Sequence, residues 1–306
     1  MSEAATANAP STDIVKEADA AVQLLAQVRA EIGKVVFGQE RVVELVLATI
    51  LAGGHALLIG APGLAKTKLV ETTARALGLD WGRVQFTPDL MPSDILGSEI
   101  LDESASGRAF RFVKGPIFTS LLMADEINRA SPRTQSALLQ AMQERHVTVA
   151  GASYDLPKPF HVLATQNPIE QEGTYPLPEA QLDRFMFKLL VGYPTFEQEA
   201  EVLTRHHHGM NPHDIAAAGV RPVASAADLE QARLEVDRGQ VEPVIIQYLV
   251  ALCRATRETP AVQLGVSPRG AASLLHAAKA WAWLSGRPFL TADEVKAVAK
   301  PVLRHR

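Results

Sequence analysis

The stretch Ala56-Leu-Leu-Ile-Gly-Ala-Pro-Gly-Leu-Ala-Lys-Thr-Lys-Leu-Val70 decides how this chain is read. An apolar run, Ala56 to Ile59, enters a loop of Gly60, Ala61, Pro62, Gly63, Leu64 and Ala65, followed by Lys66, Thr67 and a helix-compatible segment. Strand, glycine loop and helix in that order make a phosphate cradle, because the bent backbone turns its N–H groups inward and the helix adds its positive N-terminal end. Lys66 is then placed to reach the β- and γ-phosphates of ATP and the Thr67 hydroxyl to ligate Mg²⁺. Ala65 departs from the general G-x-x-x-x-G-K-[ST] pattern, which has glycine there. A glycine turn before a helix also arises without any ligand, so a second chemical element is required.

Leu121 to Glu126, reading LLMADE, supplies it. A short apolar run ending in two acids is a buried strand that presents carboxylates at the carboxyl edge of a sheet, where ligands bind in open α/β folds. Asp125 suits Mg²⁺ and Glu126 suits polarising an attacking water. An Asp-Glu pair closing a strand is common by itself; below a phosphate loop it becomes the acidic half of a nucleotide site. His161 to Thr165 is another buried-strand candidate and delivers Asn167 to the same edge. There the amide can orient the attacking water, and Asn before Pro168 is equally ordinary turn chemistry.

With 306 residues and 47% hydrophobic content the chain can bury full cores, and two domains are expected. A net charge of −4 gives no global pull toward nucleic acid or an anionic membrane. The single cysteine, Cys253, lies in an apolar run and reads as a small core residue, with no disulfide framework possible. No secretory signal opens the chain and no stretch reaches the roughly 20 apolar residues of a bilayer span, so a cytoplasmic location without membrane insertion is expected.

A disordered tail over residues 1–12 should precede a helix from Ile14 to Ile32 and a buried helix over about 40–52. Past the phosphate loop, a strand is expected at Val84 to Phe86. Ser131-Pro132 marks a helix start, and Val147 to Val149 with Ser153 to Leu156 reads as a hairpin. After a last strand over 186–191 the composition shifts, placing the boundary between a 13–193 α/β domain and a 194–306 helical domain. Thr195 and Gln198 form a capping box for the first of five helices. In the fourth, Ala271, Leu274, Leu275, Ala278, Trp281 and Ala282 make an apolar core stripe. His206, His207 and His208 project about 100° apart on a helix and cannot converge on one metal ion.

The ordered series Gly60–Thr67, Thr87–Asp94 (TPDLMPSD), Gly115–Phe118 (GPIF), Ala124–Ala130 (ADEINRA), Ala164–Pro168 (ATQNP) and Pro178–Phe185 (PEAQLDRF) resembles the MoxR family of AAA+ ATPases. The resemblance covers nearly the whole chain and accounts for Ala65, since an Ala-Lys-Thr ending is usual in MoxR-type loops. It implies an α/β AAA+ core, a mostly parallel sheet with helices on both faces, followed by a small all-α lid, with ATP in the cleft between them. It implies that Asn167 is sensor 1, Arg184 the arginine finger given to a neighbouring subunit, and Arg269 in the Ser-Pro-Arg-Gly segment the sensor-2 arginine that reaches from the lid to the γ-phosphate. Gly38 and Gln39 match the segment lining the adenine, and Glu99 to Val113 the hairpin inserted in the second helix. MoxR-type chains usually run past Arg304 to Arg306, so the final helix is expected to be shortened or the chain cut short.

By the same resemblance the active form is a homo-oligomeric ring, most simply a hexamer. It would remodel or mature a client enzyme, metal insertion included, often with a von Willebrand A domain partner. A DNA motor of similar build would need a basic hairpin, and Val147 to Leu156 holds no Lys or Arg. A nucleotide switch without turnover would have lost a catalytic part, and Glu126, Asn167, Arg184 and Arg269 are all present.

Overall fold

The computed structural model describes residues 12–104, 107–169, 173–208, 215 and 217–306. The expected tail lies, but for its last residue, outside them. The chain opens with α1 (Thr12–Ile32) and α2 (Glu40–Leu51), then β1 (Ala56–Ile59), α3 (Lys66–Ala76) and β2 (Trp81–Gln85). A single turn, α4 (Pro92–Leu96), leads into the hairpin β3 (Gly97–Ser104) and β4 (Gly107–Lys114), then β5 (Leu121–Asp125). Next come α5 (Pro132–Glu144), the hairpin β6 (His146–Val149) and β7 (Ala152–Asp155), β8 (His161–Gln166), the turn α6 (Glu179–Leu182) and β9 (Phe187–Leu190). Helices α7 (Phe196–His207), α8 (Ala226–Arg238), α9 (Pro243–Glu258), α10 (Pro268–Leu284) and α11 (Ala292–Leu303) complete the chain.

Strands β2, β5, β8, β1 and β9 lie side by side in that order, and every pairing is parallel. Both faces of such a sheet are covered by helices, so its central strands read as unbroken apolar runs; every residue of β5 is buried. One core joins α1, α2, α3 and the helices of the C-terminal half, through residues such as Ile32, Leu47, Val70, Leu274 and Val298. The other lies under α5 and the β6–β7 hairpin, around Phe86, Leu138, Phe160 and Phe185.

Local signals explain the element starts. The Ser131 hydroxyl accepts the Thr134 N–H at 3.4 Å with Pro132 in the first turn of α5. Thr195 and Gln198 close a reciprocal capping box on α7. Each such cap is worth about 1 kcal/mol. On α10, Leu274, Ala278 and Ala282 are buried and Ala271, Leu275 and Trp281 pack against them, as the stripe predicts. The Arg41 guanidinium lies 3.9 Å from the Trp281 ring centroid, fastening α2 to α10. Cys253 is buried and unpaired.

Differences from the sequence reading come from pairing. β2 begins at Trp81 rather than Val84 because it pairs with β5 from Trp81 opposite Leu121 onward. The first hairpin is longer than Glu99 to Val113 and follows the single turn of α4; among the described residues no helix resumes between β4 and β5. Phe112 of this hairpin stacks on Tyr154 of the other at 4.0 Å between ring centroids.

Two buried histidines sit at the amino end of β1 and β8. The His55 Nδ1 accepts the Val162 N–H at 2.9 Å, leaving Nε2 to carry the proton toward the Met142 carbonyl at 3.3 Å. His161 Nδ1 donates to the Gly54 carbonyl at 2.9 Å, and its buried Nε2 has no partner. Burial pushes His55 to about 3 and His161 to about 4, from an ordinary value of 6.5. The unfolded chain therefore binds more protons than the folded one below 6.5, so this stability is complete above that pH and is lost as pH falls toward the folded values. Denaturant midpoints should be flat above pH 6.5 and already fall by about pH 5, before carboxylates titrate; a midpoint unchanged over that interval would contradict this assignment.

Candidate nucleotide site

The carboxyl ends of three adjacent strands, β5, β8 and β1, meet at one sheet edge, with Ile59 opposite Gln166 and Ala124 opposite Ala164. Each delivers one piece of the site. From β1 comes the loop: a Cβ on Gly60 would lie 2.6 Å from the Val191 carbonyl, so only glycine lets the loop leave beside the end of β9. Ala65 caps α3 with φ 55 and ψ 20, a left-handed backbone that glycine adopts freely and alanine at about 1–2 kcal/mol. That explains why glycine is usual at the position. Lys66 folds back over the loop, donating to the Gly60 carbonyl at 2.8 Å and the Ala61 carbonyl at 2.7 Å. Burial lowers its pKa, while Asp125 and Glu126 raise it, which places both carboxylates within its electrostatic reach.

From β5 come the acids. Buried Asp125 accepts the Thr165 hydroxyl at 2.5 Å on Oδ1 and the Arg83 Nη2 at 2.6 Å on Oδ2. Glu126 also has a left-handed backbone, φ 55 and ψ 49, and its N–H donates to Thr165 Oγ1 at 2.9 Å. Its carboxylate accepts Gln85 Nε2 at 2.7 Å and Arg129 Nη1 at 3.1 Å. From β8 comes Asn167, buried, its Oδ1 accepting the Ile169 N–H at 3.1 Å. The turn chemistry is therefore real, and it holds the amide at the site. Residues 62–68 of the loop and helix, together with Arg83, Asp125, Glu126, Thr165 and Asn167, enclose a cavity of about 380 Å³. Its donor set suits a nucleotide polyphosphate with Mg²⁺: an amide-lined loop, the cations of Lys66, Lys68 and Arg83, and the oxygens of Thr67 and Asp125 for a hard metal.

The remaining sequence candidates lie elsewhere. Gly38, at φ 71, sits against the Gln198 side chain, and Gln39 Nε2 donates to the Gly192 carbonyl at 3.0 Å, so this segment meets the junction with the helical half. Arg184 and Arg269 do not enter the phosphate cavity. They line a separate cavity of about 260 Å³ with Gly53, His55, Arg145 and Asp183. The phosphate cavity itself is lined by α/β residues alone, and of the expected cleft between core and lid the Gly38–Gln39 segment is the part that meets the helical half. The lid packs through α10 on α2 and through α11 on β9, the outermost strand at the end of the sheet away from β5.

Sequence reasoning missed Arg83, Gln85, Arg129 and Thr165. Thr165 was findable, two residues before Asn167 in the same motif. Arg83 was not, because only the β2–β5 register, Arg83 opposite Met123, sets it diagonally beside Asp125.

A parallel sheet carrying a phosphate loop, an acidic pair and a buried Asn on adjacent strands, with a helical C-terminal half, defines a phosphate-loop nucleotide-binding protein with a lid. The family described as ATPase family associated with various cellular activities (AAA) matches residues 55–187, and the AAA lid domain matches 254–306. The uncharacterized protein YeaC of Bacillus subtilis is 45% identical over 92% of this chain and 86% of its own length. Chaperone MoxR1 of Mycobacterium tuberculosis is 41% identical over 94% of this chain and 76% of its own, and protein MoxR of Paracoccus denitrificans 33% identical over 90% and 86%. A crystal structure from Cytophaga hutchinsonii superposes with a TM-score of 0.86 at 41% identity, covering 95% of this chain and 89% of that one. The chain belongs to the MoxR family of AAA+ ATPases. Among its described residues no helix is long and apolar enough to cross a membrane.

Proposed function

We propose that this chain hydrolyses Mg²⁺-ATP at a site completed by a second copy of itself within a ring, most simply a hexamer. The observation that carries this is the separation of Arg184 and Arg269 from the cavity that holds Lys66, Asp125, Glu126 and Asn167. An arginine that stabilises a transferring phosphoryl group must touch it. From its own cavity Arg184 serves a neighbour's phosphates, and Arg269 beside it does the same.

Within one copy, Lys66 exchanges its loop carbonyls for the β- and γ-phosphates. Thr67 and Asp125 are the oxygen donors that would hold Mg²⁺. The chemistry supplied there by bound Mg²⁺ would be neutralisation of the charge that builds on the phosphate oxygens. Glu126, fixed by Gln85 and Arg129, draws the proton of the attacking water, and Asn167 orients that water. Gly38 and Gln39 border the adenine.

Turnover at such a site moves the lid against the core and drives remodelling or maturation of a client protein in the cytoplasm, with a von Willebrand A domain protein as helper. The relative called chaperone MoxR1 supports this role, as do exposed apolar side chains along the first hairpin: Ile100, Leu101 and Phe110 are exposed, Phe110 by 72%, on a hairpin tied to its neighbour by the Phe112–Tyr154 stack. Metal insertion is one form such maturation takes.

Glu126→Gln keeps the size and hydrogen bonds of the side chain and removes the base. The variant should bind ATP normally, retain the client in a pull-down, and lose turnover by about 10²- to 10⁴-fold, the usual worth of a positioned base. Loss of ATP binding in this variant would make Glu126 structural rather than catalytic.

A further inference from the structure

Resting on the proposal that Arg184 acts on a neighbouring copy, we propose that Arg306 is a positioning residue for that arginine, locking the Arg184 backbone to the lid. Arg306 is almost wholly buried, its side chain 2% exposed. Its Nε donates to Asp183 Oδ1 at 2.7 Å, and its Nη2 to the Asp183 carbonyl at 3.2 Å, the Phe185 carbonyl at 2.9 Å and Ser273 Oγ at 3.3 Å. Nη1 donates to the Val302 carbonyl at 3.1 Å. One guanidinium thus grips the carbonyls on both sides of Arg184. His305 Nε2 adds a second donor to the Phe185 carbonyl at 2.8 Å.

The same network holds the segment of Arg269. Ser267, which caps α10, reaches Asp183 Oδ2 at 3.4 Å through its hydroxyl, and a Cβ on Gly270 would lie 3.0 Å from Arg306 Cδ. Asp183, Arg306 and the first turn of α10 therefore form one buried joint with an arginine on each side of it, Arg184 from the α/β half and Arg269 from the lid. Movement of the lid carries both arginines together. A lysine cannot replace Arg306, because its single point charge lacks the planar fork that addresses carboxylate and carbonyls at once.

The joint would also serve plain stability, so the test must separate the two. Arg306→Met keeps the buried length and removes the fork. This variant should assemble and bind a fluorescent ATP analogue as the wild type does, with turnover lower by about 10²-fold, the penalty of misplacing a catalytic group by an ångström. Arg306→Lys, the milder change should the Met variant not fold, should show the same pattern with a smaller loss. Mixed with Lys66→Ala, which has an intact Arg184 joint, the Arg306 variant should regain activity; mixed with Arg184→Ala it should not, since both fail in the same half of the site. If Arg184→Ala recovers with Lys66→Ala but the Arg306 variants do not, or if they lose ATP binding, Arg306 is only structural. If the Arg184→Ala control itself stays inactive, the site across copies falls, and this proposal with it.

Discussion

Replacing Arg184 with alanine is expected to lower ATP turnover by about 10³- to 10⁵-fold while leaving ATP affinity intact, the range seen for arginines that meet a transferring phosphoryl group. The expectation follows from position. Arg184 borders the cavity with Arg269 and His55 and contributes nothing to the walls around Lys66, so ATP binding within its own copy has no use for it. Its backbone is anchored through Asp183 and Phe185 rather than through its own side chain, so alanine leaves the joint with Arg306 in place. Nucleotide titration and steady-state turnover on the same preparation check it; a matching loss of affinity would place Arg184 at the nucleotide of its own subunit.

Lys66→Ala should fail at the earlier step. The ammonium's hydrogen bonds go to the Gly60 and Ala61 carbonyls, and those accept solvent once it is gone, so melting should change little. Two charge-assisted bonds to phosphate at about 1.5–3 kcal/mol each correspond to an affinity loss of about 10²- to 10⁴-fold, and turnover disappears with it. Wild-type turnover in this variant would remove the phosphate loop from the chemistry.

What the sequence disclosed about this molecule was what local chemistry controls. Ala56 to Val70 encodes strand, loop and helix within one short segment, and Ser131-Pro132 and Thr195 with Gln198 encode helix starts through bonds spanning three residues. The phosphate loop, Asp125, Glu126 and Asn167 were legible because each sits directly at the end of an apolar strand. Arg83 was hidden because its bond to Asp125 crosses between strands and depends on register. The place of Arg269 was hidden for a larger reason: its motif fixes a helix start, whereas the packing of α10 on α2 and of α11 on β9 fixes which cavity that start faces. Arg306, a surface residue by type, is buried by the same packing.

The most direct measurement mixes Arg184→Ala with Lys66→Ala, each inactive alone, under conditions where subunits exchange. Some interfaces then pair an intact phosphate loop with an intact Arg184. Recovery of ATP turnover, rising and then falling as the ratio is varied, is the predicted result. A mixture that stays inactive although both variants are shown to co-assemble would contradict a site built from two copies.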